Sequence, residues 1–144
     1  MRARRPTRPW SANARECRLI LRGSSDLVLH GDRELLRRAL ENILRNAIRH
    51  APEGTDIEIT LNNTAMNASI SVRDYGPGVP AEALTAIFTP FFRVDNSRNT
   101  ATGGMGLGLS IAERAIRVHH GNLWAENAEP GLRVCVDLPV ERPA

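Results

Sequence analysis

The chain has 144 residues, 42% hydrophobic and 24% charged, which suits one water-soluble domain with a single hydrophobic core. No apolar run approaches the roughly 18 residues that span a bilayer, and no apolar segment follows the N-terminal arginines, which argues against a membrane span and a signal peptide. The formal charge is +3, yet residues 1–22 hold seven arginines against Glu16 while the rest hold twelve against fifteen acids; a uniformly basic nucleic-acid-binding face is thereby excluded.

Residues 1–16, rich in Arg, Pro and Ser without periodicity, read as a basic tail or linker. The folded domain is expected over 17–142. Cys17–Leu21 and Leu27–His30 read as short strands around the turn at Gly23–Asp26. Asp32 is a good N-cap for a helix whose Leu36, Ala39, Leu40, Ile43, Leu44 and Ala47 recur at three- and four-residue spacing. That pattern ends at His50 and Ala51, because Pro52 disfavours helix in the residue before it. Ile57–Leu61 and Ala68–Val72 alternate as half-buried strands do, and the polar link between them suggests an antiparallel pair. Pro80 can open a short helix through Phe88. Residues 94–103 lack apolar periodicity and read as a mobile loop. A second long helix is predicted from Gly106 to His119, with Gly121 placed to close it. Strands Asn122–Glu126 and Leu132–Leu138 then meet through the turn Glu129-Pro130-Gly131. The sum is an α/β (α+β) two-layer sandwich, with helices on one face of a mixed, mainly antiparallel sheet.

Three segments carry chemistry. On the first helix, 100° per residue sets Asn42, Asn46 and Arg49 in one polar stripe beside the apolar face. Amide oxygens there could help hold a hydrated Mg²⁺ and its phosphates; an exposed, solvated helix edge would look the same. Asp74-Tyr75-Gly76-Pro77-Gly78 follows a strand directly. Its carboxylate can accept a hydrogen bond from an exocyclic amine such as that of adenine, and its glycines let a base approach the backbone. A tight strand-to-helix turn would use the same residue types. Gly104, Gly106 and Gly108 alternate just ahead of a helix, so backbone N–H groups and the positive helix end can face a phosphate. This is neither a P-loop nor a dinucleotide-binding fingerprint. All cationic side chains are arginines, so any phosphate contact by a cation comes from a planar guanidinium. Cys17 and Cys135 lack metal-like spacing and read as reduced, buried and inert.

In order and company these segments resemble the boxes of sensor histidine kinases. Asn42 to Ala47 looks like their N box and Asp74 to Gly78 like their G1 box. Ile87 to Asp95, with Phe88, Phe91, Phe92 and Arg93, resembles the F box, and Gly104 to Ile111 is similar to the G2 box. The resemblance runs from about residue 17 to 140 and implies the Bergerat (GHKL-type) fold of the ATP-binding catalytic domain. It implies that Asn46 ligates Mg²⁺, that Asn42 supports the phosphates, and that Arg49 and His50 stand beside them. Asp74 would read the adenine amine, and Gly76, Gly78 and Val79 would line the base pocket. Gly104, Met105, Gly106, Leu107, Gly108 and Leu109 would wrap the nucleotide. Residues 93–103 would form an ATP lid, with Arg93 and, less centrally, Arg98 at the γ-phosphate. Asn42, Asn46, Arg49 and Arg93 make up the implied catalytic set, and ATP with Mg²⁺ the implied cofactors.

The phosphoacceptor histidine of such kinases lies in a separate helical hairpin, in a His-Glu/Asp-x-x-x-Pro-like box. None of His30, His50, His119 and His120 has that context, and His119 and His120 read as a solvated helix end. The chain would thus hold the phosphoryl donor without the acceptor. The implied partners are ATP, the acceptor hairpin of a dimeric parent (docked through Phe91 and Phe92) and, through that parent, a response regulator; nucleic acid and membrane contact are not implied. The domain would lie in the cytoplasm beneath an inner-membrane sensor, and its second half looks most like envelope-sensing kinases of the Cpx type. The alternative on the same fold is an anti-sigma-type serine kinase. Those kinases, like the ATPase relatives, typically carry Glu where Asn42 stands, so Asn42 argues against both.

Overall fold

Alternating apolar residues along five strands build one buried sheet face. In the computed structural model, which describes residues 16–23, 29–64, 66–92 and 107–140, the strands are β1 (Arg18–Gly23), β2 (Asp56–Asn63), β3 (Asn67–Arg73), β4 (Asn122–Asn127) and β5 (Leu132–Pro139). They lie in the order β1-β2-β3-β5-β4, with β1 parallel to β2 and every other pair antiparallel. The register stacks Ile59 beside Val72, Val72 beside Val134 and Ile70 beside Val136 on the inner face. On the outer face Glu58 lies beside Arg73 and Glu126 beside Arg133. Cys135 is buried on that polar face, paired across the strands with Trp124.

Helices α1 (Arg33–His50), α2 (Ala83–Ala86) and α3 (Gly108–Val118) are the helices of the described residues, and α1 and α3 cover the inner face. Ile43 and Ile116 from these helices, with Ile57 and Val136 from the sheet, are at most 1% exposed; truncating any of the three isoleucines to Ala should cost about 2–5 kcal/mol. Asp32 caps α1, its carboxylate accepting from the N–H groups of Glu34 (3.0 Å) and Leu35 (3.1 Å). Ala51 closes the helix, donating to Ala47 O at 3.0 Å just before Pro52 diverts the chain. Among the described residues no helix is long and apolar enough to cross a membrane.

The structure departs from the sequence reading at four places. Leu29 and His30 are not in a strand, and 27–28 lie outside the described residues; β1 pairs in parallel with β2 instead, Arg18 bonding Asp56 at 3.0 Å. The segment after Pro80 is helical only over Ala83–Ala86, because it enters through i→i+3 bonds from Ala83 to Pro80 O and from Leu84 to Ala81 O. At the end of α3 the left-handed residue is His120 (φ 63), not Gly121. His120 N–H donates to Arg117 O and Gly121 N–H to Ile116 O, both at 2.9 Å, the double closure of a Schellman end. Gly121 is required for another reason, since a Cβ there would lie 2.4 Å from Asp137 O. Finally, His119 is no solvated end. It is half-buried, with Nδ1 2.8 Å from Ala115 O and Nε2 accepting the Asp32 N–H at 2.8 Å. That pairing requires the neutral ring protonated on Nδ1, and it fastens the end of α3 to the start of α1.

Candidate functional site

Where β3 ends and β5 begins, the sheet delivers one carboxylate into the interior. Asp74 is 2% exposed, the one buried polar or charged side chain among the described residues. Burial raises its pKa above the ordinary carboxylate value, partly countered by hydrogen bonds from backbone N–H groups. Gly76 N–H donates to Oδ1 at 2.8 Å and Leu132 N–H at 3.4 Å. Both bonds fall on one oxygen, so the carboxylate is held in a fixed orientation with Oδ2 left as an acceptor for a donor arriving from outside.

The backbone around Asp74 is packed too closely for side chains. A Cβ on Gly76 would come 2.3 Å from His50 O, which brings the end of α1 against this loop. Gly78 has φ +75, and a Cβ there would meet Asn127 Oδ1 at 2.6 Å. Gly131, at φ +103, lies so close that a Cβ would sit 1.8 Å from Asp74 O. The Asn127 amide grips the next residue, accepting from Val79 N–H at 3.0 Å and donating to Val79 O at 2.7 Å. Arg73, stacked on the Tyr75 ring at 3.9 Å, donates to Pro130 O at 2.8 Å. Sequence reasoning recognised Glu129-Pro130-Gly131 as a turn but missed Gly131, Asn127 and Arg73 as parts of this site. Nothing in the local pattern marks them, because each acts on backbone atoms far away in the chain.

The polar stripe of α1 borders the same loop. Asn42, Asn46 and Arg49 are half-buried and His50 is exposed, with His50 Nδ1 turned back onto Asn46 O at 2.9 Å. The α3 entry crosses above this stripe, for a Cβ on Gly108 would lie 3.5 Å from Asn42 Oδ1. Leu107 occupies the N-cap position of α3, and an apolar side chain there cannot satisfy the first-turn N–H groups, which suits an anionic ligand. Leu109 is buried and Leu107 half-buried. The structure therefore brings together Asn42, Asn46, Arg49, His50, Asp74, Gly76, Gly78, Val79, Leu107, Gly108 and Leu109 at one end of the sandwich. Arg93, Arg98, Gly104, Met105 and Gly106 lie outside the described residues. Phe88 is core and Phe92 packs against it, whereas Phe91 is 67% exposed with φ 68.

The donor set tests what a cation would need here. Among the described residues no three His, Cys, Asp or Glu side chains are grouped to hold a metal ion. The amides of Asn42 and Asn46 supply neutral oxygens, a set that fits Mg²⁺ sharing its shell with phosphates and water but not a metal held by protein alone.

The family model of histidine kinase-, DNA gyrase B-, and HSP90-like ATPases matches residues 31–142. The sensor protein PfeS of Pseudomonas aeruginosa is 44% identical over 104 residues, which is 72% of this chain and 23% of PfeS. The sensor histidine kinase CpxA of Escherichia coli is 43% identical over 113 residues, 78% of this chain and 24% of CpxA, in line with the Cpx-type resemblance. The chain spans about a quarter of the length of these two relatives. Among solved structures, the mycobacterial sensor histidine kinase MprB superposes with a TM-score of 0.78 at 29% identity, covering 89% of this chain and 86% of that one. The serine-kinase alternative is not favoured by these relatives.

Proposed function

The chain belongs to the family of histidine kinase-, DNA gyrase B-, and HSP90-like ATPases, and on that premise we propose that it is the ATP-binding catalytic domain of a two-component sensor histidine kinase, spanning residues 17–142. It holds Mg-ATP and presents the γ-phosphoryl group to a histidine in a separate dimerisation and phosphoacceptor domain of the parent, which in turn feeds a response regulator. The carrying observation is Asp74, a buried carboxylate with one oxygen fixed by the backbone and the other left to accept an exocyclic amine.

In this reading Asp74 selects adenine, and Gly76, Gly78 and Val79 give the flat base access to the backbone. Asn42, Asn46, Arg49 and His50 line the phosphate side, with Asn46 as the protein's ligand to the metal. Magnesium, when bound, draws the phosphate oxygens together and offsets their charge. Gly104, Gly106 and Gly108, with the N–H groups that open α3, cradle the phosphates; Met105, Leu107 and Leu109 flank them. Arg93 and Arg98 are assigned to the γ-phosphate end. Asn42 supplies no base, and none is needed: a neutral imidazole already carries the attacking lone pair, so this chain's task is positioning and charge stabilisation. Exposed Phe91 fits a contact with the acceptor hairpin. The parent is proposed to be an inner-membrane sensor with this domain on its cytoplasmic side.

Isothermal titration of the chain with ADP and Mg²⁺ tests the reading. Asp74→Asn keeps an oxygen for Gly76 and Leu132 while turning the outward acceptor into a donor, so ADP affinity should fall at least tenfold with the fold intact. An affinity within twofold of wild type removes Asp74 from the base-reading role. Asn46→Ala should leave ADP affinity insensitive to Mg²⁺; an unchanged magnesium dependence rejects the metal assignment.

A further inference from the structure

The hairpin between β4 and β5 reaches the base pocket without belonging to any segment that the pocket's sequence signature covers. Asn127, the last residue of β4, bonds both backbone groups of Val79: Val79 N–H to Oδ1 at 3.0 Å and Nδ2 to Val79 O at 2.7 Å. This is the pattern by which one strand residue pairs with another, carried out by a side chain across 48 positions of sequence. Because both ends of the amide are engaged, its orientation is fixed. The preceding residue is fitted to it, since at Gly78 a Cβ would stand 2.6 Å from the same Oδ1. The far side of the turn is tied as well. Arg73 donates to Pro130 O at 2.8 Å, Ala128 N–H to Gly131 O at 2.8 Å, and Asp74 N–H to Leu132 O at 3.0 Å.

We propose that Asn127 is a positioning residue for nucleotide selection, its side chain holding the Gly78–Val79 backbone at the height where a base lies flat against it and meets Asp74. The inference rests on the reading of Asp74 as the base acceptor. Without the clamp, Gly78 and its left-handed backbone make the loop free to swing, and the base loses its floor while the phosphate side on α1 and α3 is untouched. The consequence is selective: recognition of adenine suffers, whereas binding through phosphates does not.

The test compares ADP and GDP affinities of the whole chain with Mg²⁺, in wild type, Asn127→Ala and Asn127→Asp. Wild type should prefer ADP. In Asn127→Ala the ADP affinity should fall about tenfold, the size expected when roughly one hydrogen bond's worth of loop order is lost, while the weak GDP affinity changes less than about twofold. Asn127→Asp, which sets a second acceptor against Val79 O, should fall at least as far. If ADP affinity stays within about twofold of wild type, or ADP and GDP weaken by the same factor, the role assigned to Asn127 is overturned and the residue is only structural. A wild-type chain that does not distinguish ADP from GDP overturns the Asp74 reading first and this inference with it. Should Asn127→Ala fail to fold, the same ratio measured in Asn127→Ser decides.

Discussion

Asp74 is asked to be buried and to stay ready as an acceptor, and the two demands oppose each other energetically. Because burial raises its pKa in the folded state, the native chain binds that proton more tightly than the unfolded chain does. Stability therefore falls as pH rises from the ordinary carboxylate range through the folded value, and above it the whole cost of the buried charge is carried. Asp74→Asn should remove that cost, raising the thermal midpoint at pH 7 by about 2–4 °C for each kcal/mol relieved, with the gain shrinking in melts recorded at progressively more acid pH. A gain that is independent of pH would contradict the account. The same residue shows what a sequence can reveal about a site. An acid, a glycine and a second glycine at alternate positions after a strand mark a tight turn, so the close backbone packing at Gly76 and Gly78 is legible in the sequence. Asn127 grips another residue's main chain, and an asparagine at the end of a strand looks the same whether or not a loop lies within reach.

Elements were most legible where their signals are local. The cap at Asp32, the apolar spacing of α1 and the stop before Pro52 all act within a few residues, and the structure follows them. β1 is legible as a strand but its partner is not, because a short apolar strand carries no mark of what it pairs with: two strands around the turn at Gly23–Asp26 are expected, and the partner is β2, 38 residues on at the Arg18–Asp56 contact. The end of α3 was misjudged because two jobs that glycine performs are divided between neighbours. Gly121 gives close approach to β5, while His120 takes the left-handed conformation, at a cost of roughly 1–2 kcal/mol for an L-residue. His120→Gly should therefore stabilise the chain by about 0.5–1 kcal/mol after glycine's larger unfolded-state entropy is counted, measurable as a shifted urea midpoint with unchanged slope. Gly121→Ala should do the reverse, since its Cβ would run into backbone.

At the scale of the molecule, one sheet face is closed by helices and the other is open and polar, yet the open face hides a thiol. Cys135 lies in β5, an interior strand, and burial pushes its pKa up to about 12. At pH 8 it should resist a thiol reagent until the chain unfolds, so its labelling rate across a urea series should track global unfolding; fast labelling in the native state would show that β4 lifts off on its own. The arrangement of α1 and α3 has a mechanical consequence. The helices run in opposite directions, and His119 joins the end of one to the beginning of the other, while Asn42 and Gly108 face each other further along. They make a pair of tongs riveted at the far end. From His119 to Gly108 the lever is roughly 16 Å long, so each degree of rotation about the rivet shifts the jaws by about 0.3 Å. Leu109, Ala112, Ala115 and Ile116 of α3 are buried in the core, so any such turn must repack the interior, and the mouth is held at a set width.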